Sequence, residues 1–441
     1  MSPEIVAVAM FATLVVFLFM GHPLAFVLGG VGTVYGLVFI GPHFFGIFMD
    51  RIYGTMDNFV LVAITLFILM GNFLAISGIA DSLFKALRIL LGPIRGGVGI
   101  AVVVVCIVFA ACTGIIGASV VTMGLLAGPM LIRYGYSREI TTGTIAAGGS
   151  LGLLIPPSIM LIMMADQATL SAGRMLMAGV VPGVTLGILY MLYIAIRCAI
   201  NPKVGPPVPA EELALIPVSK RIVDTFRYAV PPVILIVCVL GAIFFGVATP
   251  TEAAGVGAFV AFIMAIVYRK LTWQNFKETL YQTSRTATMV IIIIVGATCF
   301  TGVFLGLGGG KALVDAMLGL GLGKWGTYIL IMAIYVVLGC FIDWIGIIMI
   351  TFPIFLPLAQ SLGFDMLWFV AMLAINLQIS FLTPPFGYAL FYLAGIGLDG
   401  VRLSNIYWGV VPFLIMQIIG VAVCTIFPEI VLWLPNKMIG G

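Results

Sequence analysis

From Ile5 to Ile426 the chain is a succession of apolar runs, many of them near the ~17–25 residues that span a hydrocarbon core as a helix. Barrel strands would instead alternate in polarity over ~10 residues. With 63% hydrophobic and only 8% charged residues, no soluble domain could bury its apolar surface and still show water enough charge. The sequence therefore predicts an all-α polytopic membrane protein. Its N-terminal run lacks a basic leader and a small-residue cleavage site, which makes it an uncleaved first span.

Two of these runs are broken in the same way. Pro156 and Pro157 interrupt "LGLLIPPSIML", and Pro384 and Pro385 interrupt "SFLTPPFGYAL" 228 positions later. The same offset pairs Cys112 with Cys340, Pro129 with Pro357 and Gly135 with Gly363, and an offset of 230 pairs Pro182 with Pro412. A tandem structural repeat explains all of these, divided by the only long polar stretch, 198–230. The predicted first repeat, 1–197, comprises scaffold spans within 5–75, an amphipathic arm at 77–92, an interrupted stretch at 97–132, the broken segment 140–165 and a final span 176–197. The second, 231–441, runs in the same order: scaffold spans 231–306, arm 310–324, interrupted stretch 326–360, broken segment 367–393 and final span 405–427.

Length alone leaves the interrupted stretches as either paired spans or re-entrant hairpins, and the charges separate the two. If both are re-entrant, each half crosses an odd number of times and the halves insert upside down relative to one another. With the linker in the cytoplasm, fifteen of the twenty Lys and Arg residues then fall inside, as the positive-inside rule requires. The same asymmetry accounts for the net charge of +4 without a nucleic-acid partner. Inverted repeats with broken helices near the midplane characterise secondary transporters. A broken helix leaves backbone N–H and C=O groups unpaired at membrane depth, tolerable only where protein, water or an ion satisfies them. Free carbonyls suit a cation such as Na+, and free N–H groups suit an anion.

Around the first break, Gly148, Gly149 and Gly152 permit an unwound backbone and Ser150 and Ser158 add hydroxyls. Around the second, Asn376, Gln378, Ser380 and Thr383 offer oxygen ligands. The hairpin tips expected to meet them carry Thr113, Gly114, Gly117 and Ser119, and Asp343 and Gly346. Asp343, flanked by long apolar runs, is either a functional carboxylate at depth or a cap on the returning helix. No Lys or Arg falls in either broken segment or at either tip, so an anion there is expected to rely on backbone dipoles, hydroxyls and a co-bound cation, unless an arginine from elsewhere reaches in. "GLGGGK" at 306–311 lacks the spacing of a phosphate loop. The cysteines show no CxxC spacing and read as buried thiols. With only His22 and His43 and no clustered carboxylates, an enzyme is disfavoured.

The stretches "ATPTEAAGVGA" (248–258), "LGLLIPPSIMLI" (151–162), "MAGVVPG" (177–183), "GCFIDW" (339–344) and "NLQISFLTPPFGYALF" (376–391) together resemble the large membrane subunit of tripartite ATP-independent periplasmic (TRAP) transporters. The resemblance covers essentially the whole chain. It implies an elevator-type fold and a Na+-driven importer of organic acids in the bacterial inner membrane. It also implies a small four-helix membrane subunit and a periplasmic substrate-binding protein as partners. On this reading two or more Na+ ions bind at the break-and-tip junctions, through Gly114, Gly117, Ser150, Gly152, Ile155, Gly346, Gln378, Thr383 and Gly387. The substrate anion sits between the tips, near Thr113, Ser119, Ser150, Asp343, Asn376 and Thr383. One departure stands out: the first tip reads Thr113-Gly114-Ile115-Ile116 where family members often carry SGSS. Either Ser119 or backbone carbonyls replace the missing hydroxyls, or the substrate is less polar than a sugar acid. A proton-coupled organic anion transporter is the alternative.

Overall fold

The computed structural model describes residues 3–113, 116–384 and 387–438, and every regular element among them is helical. The order is α1 (Pro3–Phe19), α2 (Leu24–Phe39), α3 (Phe44–Met56), α4 (Phe59–Ile76), α5 (Ile79–Leu91), α6 (Gly97–Thr113), α7 (Ile116–Arg133), α8 (Arg138–Ser150), α9 (Ile159–Gln167) and α10 (Ala172–Ile200). A short helix α11 (Ala210–Ala214) lies in the polar linker. Then follow α12 (Val218–Phe244), α13 (Pro250–Val267), α14 (Trp273–Gly306), α15 (Gly309–Gly319), α16 (Gly323–Gly339), α17 (Trp344–Ser361), α18 (Met366–Leu382), α19 (Tyr388–Ile396), α20 (Leu403–Ile426) and α21 (Glu429–Leu432). Among the described residues, eight helices are long and apolar enough to cross a membrane, and several more are apolar but shorter. The chain is thus a multi-pass helical membrane protein.

The elements start where local chemistry directs. Asn58, Ser137, Ser158, Ser171, Thr272, Asp343 and Asp365 each accept a backbone N–H from the first turn of the helix they precede. Thr249 and Glu252 form a reciprocal capping box at the start of α13. Two matched corners need glycine. Gly78 and Gly308, which lead into α5 and α15, have φ of +73° and +80°, a left-handed conformation that side chains resist.

The structure extends several sequence-derived boundaries. Residues 218–230, placed in the linker, form the first turns of α12, and the last of the scaffold spans expected within 231–306 is the 34-residue α14. An additional helix, α3, lies between the second and third spans.

Packing is reciprocal between the halves. α8 packs on α20 and α18 on α10; α9 meets α17 and α19 meets α7; α5 lies on α12 and α15 on α1. The α8–α20 contact is backbone to backbone, because a Cβ on Gly143 would overlap the Gly409 carbonyl and one on Gly409 would overlap that of Glu139. Burial separates two layers. Residues 140–165 and 367–382 are buried throughout, so both broken segments run through the middle of the molecule. The helices α2, α12, α13 and the outer faces of α4 and α14 carry exposed large apolar side chains such as Phe26, Phe59, Val237 and Phe259, as a lipid-facing layer requires.

Candidate functional site

Where the two layers meet lies a cavity of about 270 Å³. Its inner wall comes from both halves: Ile116 and Gly117 at the first hairpin tip, Leu153 and Ile159 flanking the first break, Asp343, Trp344 and Ile345 at the second tip, and Tyr388 and Tyr392 just after the second break. Its outer wall is Leu24 of α2, Ile68 of α4, and the stripe Thr286, Met289, Val290 and Ile293 on α14. That stripe repeats at i, i+3, i+4 and i+7, one face of a helix.

Asp343 is half-buried at the start of α17, where its carboxylate accepts from the Ile345 N–H at 3.3 Å. It caps the helix, as one of the two sequence readings has it, and it also lines the cavity. Among the described residues the ion pairs are Lys85–Asp81 and Arg88–Glu212, and neither involves Asp343. Tyr388 and Tyr392 line the same cavity as this carboxylate. Gly117 matters for shape. The Tyr392 ring lies against it, and a Cβ there would stand 2.8 Å from the ring Cζ.

Of the residues chosen from sequence, the structure places Gly117 and Asp343 in the cavity wall, and Ser150, Gly152, Ile155, Gln378, Thr383 and Gly387 in or beside the breaks. At the first break the chain leaves α8 through a 3₁₀ turn, Leu151–Leu153, that contains Gly152, then passes Ile155, Pro156 and Pro157, all buried. The Ser150 hydroxyl donates to the Ala147 carbonyl at 2.9 Å, and the Ile155 N–H donates to the Leu151 carbonyl at 2.9 Å. Ser158 spans the gap: its hydroxyl donates to the Leu153 carbonyl and accepts from the Leu161 N–H at 3.3 Å. Ser119 is buried on α7 outside the cavity wall.

At the second break Thr383 and Pro384 are half-buried. The Thr383 hydroxyl donates to the Ile379 carbonyl at 2.7 Å, and the Gly387 N–H donates to the Thr383 carbonyl at 3.1 Å. Asn376 is committed to packing, donating to the Met332 carbonyl of α16 at 2.8 Å, as is Ser380 to the Tyr335 carbonyl at 3.2 Å. Gln378 is fully buried, and among the described residues neither its amide oxygen nor its nitrogen has a hydrogen-bond partner. Such a group deep in a helical core normally meets water or an ion. Gly346 is not in the cavity lining and packs against Leu24, which a Cβ there would approach to 2.5 Å. The Thr113 side chain, Gly114 and Pro385 lie outside the described residues.

Sequence reasoning missed Thr286, Tyr388 and Tyr392, although the helical stripe on α14 and the i, i+4 spacing of the two tyrosines were both legible. It also missed a contact between the layers: the Asn58 amide donates to both Asp166 carboxylate oxygens at 3.0 Å, joining the start of α4 to the end of α9.

The arrangement defines a helical membrane protein whose two halves contribute jointly to one cavity. A family model described as "Tripartite ATP-independent periplasmic transporter, DctM component" matches residues 11–430, and the chain belongs to that family. It is 32% identical over 387 residues to the C4-dicarboxylate TRAP transporter large permease protein DctM of Pseudomonas aeruginosa, covering 88% of each chain. It is 29% identical over 424 residues to the sialic acid TRAP transporter large permease protein SiaM of Vibrio cholerae, covering 96% of this chain and 97% of that one. Both are named as transporter permeases rather than enzymes. The fold is similar to a crystal structure of the YdaH transporter of Alcanivorax borkumensis, with a TM-score of 0.64 at 14% identity over 97% of this chain and all of that one.

Proposed function

We propose that this chain is the transport subunit of a Na+-driven importer that carries an organic acid anion across the bacterial inner membrane by an elevator motion. The observation that carries the proposal is the cavity itself, walled on one side by both hairpin tips and the flanks of both breaks and on the other by α2, α4 and α14. A site built this way is exposed to alternate sides if the inner layer slides along the outer one. The inner layer would be the two re-entrant hairpins α6–α7 and α16–α17, the broken segments α8–α9 and α18–α19, and the final spans α10 and α20. The remaining spans form the scaffold, with α5 and α15 as arms. The reciprocal packing between the halves supports inverted-topology repeats at 1–197 and 231–441, joined by a cytoplasmic linker over 198–230.

Two or more Na+ ions belong at the break-and-tip junctions, and the unpartnered amide of Gln378 supports a polar ligand near the second. The family's tripartite organisation supports a small membrane subunit and a periplasmic substrate-binding protein as partners. The test is uptake by the complete complex in proteoliposomes with and without an inward Na+ gradient. Undiminished uptake without Na+ refutes sodium coupling. One observation favours a second reading: Asp343 has no cationic side-chain partner among the described ion pairs, and a requirement for a pH gradient instead would identify it as a proton carrier.

A further inference from the structure

The cavity's chemistry narrows the cargo further, given the anion-transport reading above. Its described lining holds few side chains with polar atoms: the hydroxyls of Thr286, Tyr388 and Tyr392, the Trp344 indole and the Asp343 carboxylate. Everything else is aliphatic, methionine or glycine. No Lys, Arg or His is among these residues, and the neighbouring stretches 110–115 (AACTGI) and 385–386 (PF) contain none either.

Three classes of organic anion fare differently in such a site. A dicarboxylate brings two negative charges beside the one already present on Asp343. Each charge removed from water needs a counter-charge or several hydrogen bonds, and the walls supply no cation. A sugar acid brings many hydroxyls, and every hydroxyl buried without a partner costs about 1–3 kcal/mol. Here three hydroxyls, one indole and one carboxylate would have to serve them all. A monocarboxylate needs one counter-ion, which a coupled cation beside Asp343 provides, and its body is free to lie on apolar surface. The surface is shaped for that. The hydroxyl end of the Tyr392 ring lies against Gly117, and Leu24, Ile68 and Met289 belong to the outer wall. At about 270 Å³ the space is at the small end of small-molecule pockets, which run ~300–1,000 Å³.

We infer that the cargo is a small monocarboxylate with an aliphatic or aromatic body and at most one further oxygen next to the carboxylate. The carboxylate is held near Asp343 through the coupled cation and the hydroxyls of Thr286 and Tyr388. The apolar body packs between the Tyr392 ring and the α14 stripe.

The soluble binding protein imposes its own selectivity, so the test is made on the membrane complex without it. The detergent-purified complex is heated in NaCl with phenylacetate, 4-methyl-2-oxopentanoate, succinate or N-acetylneuraminate, and the midpoint of unfolding is recorded against ligand concentration. The two apolar monocarboxylates should stabilise at concentrations at least ~10-fold below those needed for succinate or the sugar acid. Tyr392→Ala should weaken phenylacetate more than 4-methyl-2-oxopentanoate, a ranking change that a folding defect does not produce. Equal or stronger stabilisation by succinate or N-acetylneuraminate overturns the cargo class and leaves anion transport standing. If none of the four stabilises, uptake by the complete complex decides: preferred uptake of a dicarboxylate or sugar acid overturns the class alone. Failure to take up any organic acid in a Na+ gradient overturns the transport reading and this inference with it.

Discussion

The two helix breaks share their paired prolines and differ at most of the matched positions that carry polar side chains. Moving 228 residues along the chain takes Ser150 to Gln378, Ile155 to Thr383, Ser158 to Phe386 and Asp166 to Ala394. The first break is sealed: residues 150–158 are all buried, and Ser158 closes the gap with its own hydrogen bonds. The second is open, with Thr383 and Pro384 half-buried and Tyr388 and Tyr392 leading into the cavity beside Asp343. The difference teaches that a repeated fold need not repeat its chemistry. On the proposed reading, the first break would meet an ion mainly through backbone carbonyls and the second would add side-chain oxygens, while the neighbouring second tip carries the only carboxylate in the described cavity wall.

This contrast can be broken experimentally. The largest effect should follow Asp343→Ala, which removes that carboxylate: apparent Na+ affinity in the uptake assay should fall by ~10–100-fold. Unchanged Na+ dependence would remove Asp343 from coupling. Next, Thr383→Val should weaken apparent Na+ affinity by up to ~10-fold, the worth of about one hydrogen-bond-strength contact. At the matched position Ile155→Val should change it less than ~2-fold, since the removed methyl carries no ligand atom. Equal effects at the two sites would abolish the proposed asymmetry.

Smaller effects test structure rather than coupling. Ser158→Ala leaves the Leu153 carbonyl and the start of α9 without their partner, and should cost about 1–2 kcal/mol of stability, read as a lower unfolding midpoint with Na+ affinity preserved. Asn58→Ala cuts the one described side-chain bond from α4 to α9, a bond the matched Ala394 could not make. At about 0.5–1.5 kcal/mol, its loss should shift the balance between outward and inward states by a few-fold, measurable by labelling single cysteines placed on α9. No shift would mean that this contact survives the motion.

Much of the architecture was legible because bilayer physics restricts the choices: apolar run length gave the helices, and doubled prolines marked both interruptions. The helical limits were less legible. α3 and the first turns of α12 and α14 are amphipathic or charged, so their apolar spacing falls short of a spanning signal even though neighbouring helices support them. In the site, Asp343 stood out because a carboxylate among apolar residues is costly. Asn376 looked equally suited to be a ligand, yet its amide is consumed by the Met332 carbonyl, a pairing that depends on how α16 and α18 cross. Thr286 was hidden for the opposite reason: one threonine in a long apolar helix carries no signal until the other wall is in place.

The linker adds a mechanical asymmetry. The N–H groups of Gly96 and Val208 donate to the carbonyls of Gly205 and Gly92 at 2.9 Å, and that of Ser137 donates to Val204 at 2.9 Å. Glu212 pairs with Arg88 of α5 at 3.0 Å and accepts from Tyr134 at 2.8 Å. Burial and the bond to that carboxylate push the Tyr134 hydroxyl up to about 12, so it stays protonated as a donor. This strap stitches the end of α5 to the base of the first hairpin. Among the described residues none of these bonds reaches α15, so the linker ties one half's arm to its own hairpin and leaves the other half's arm untied.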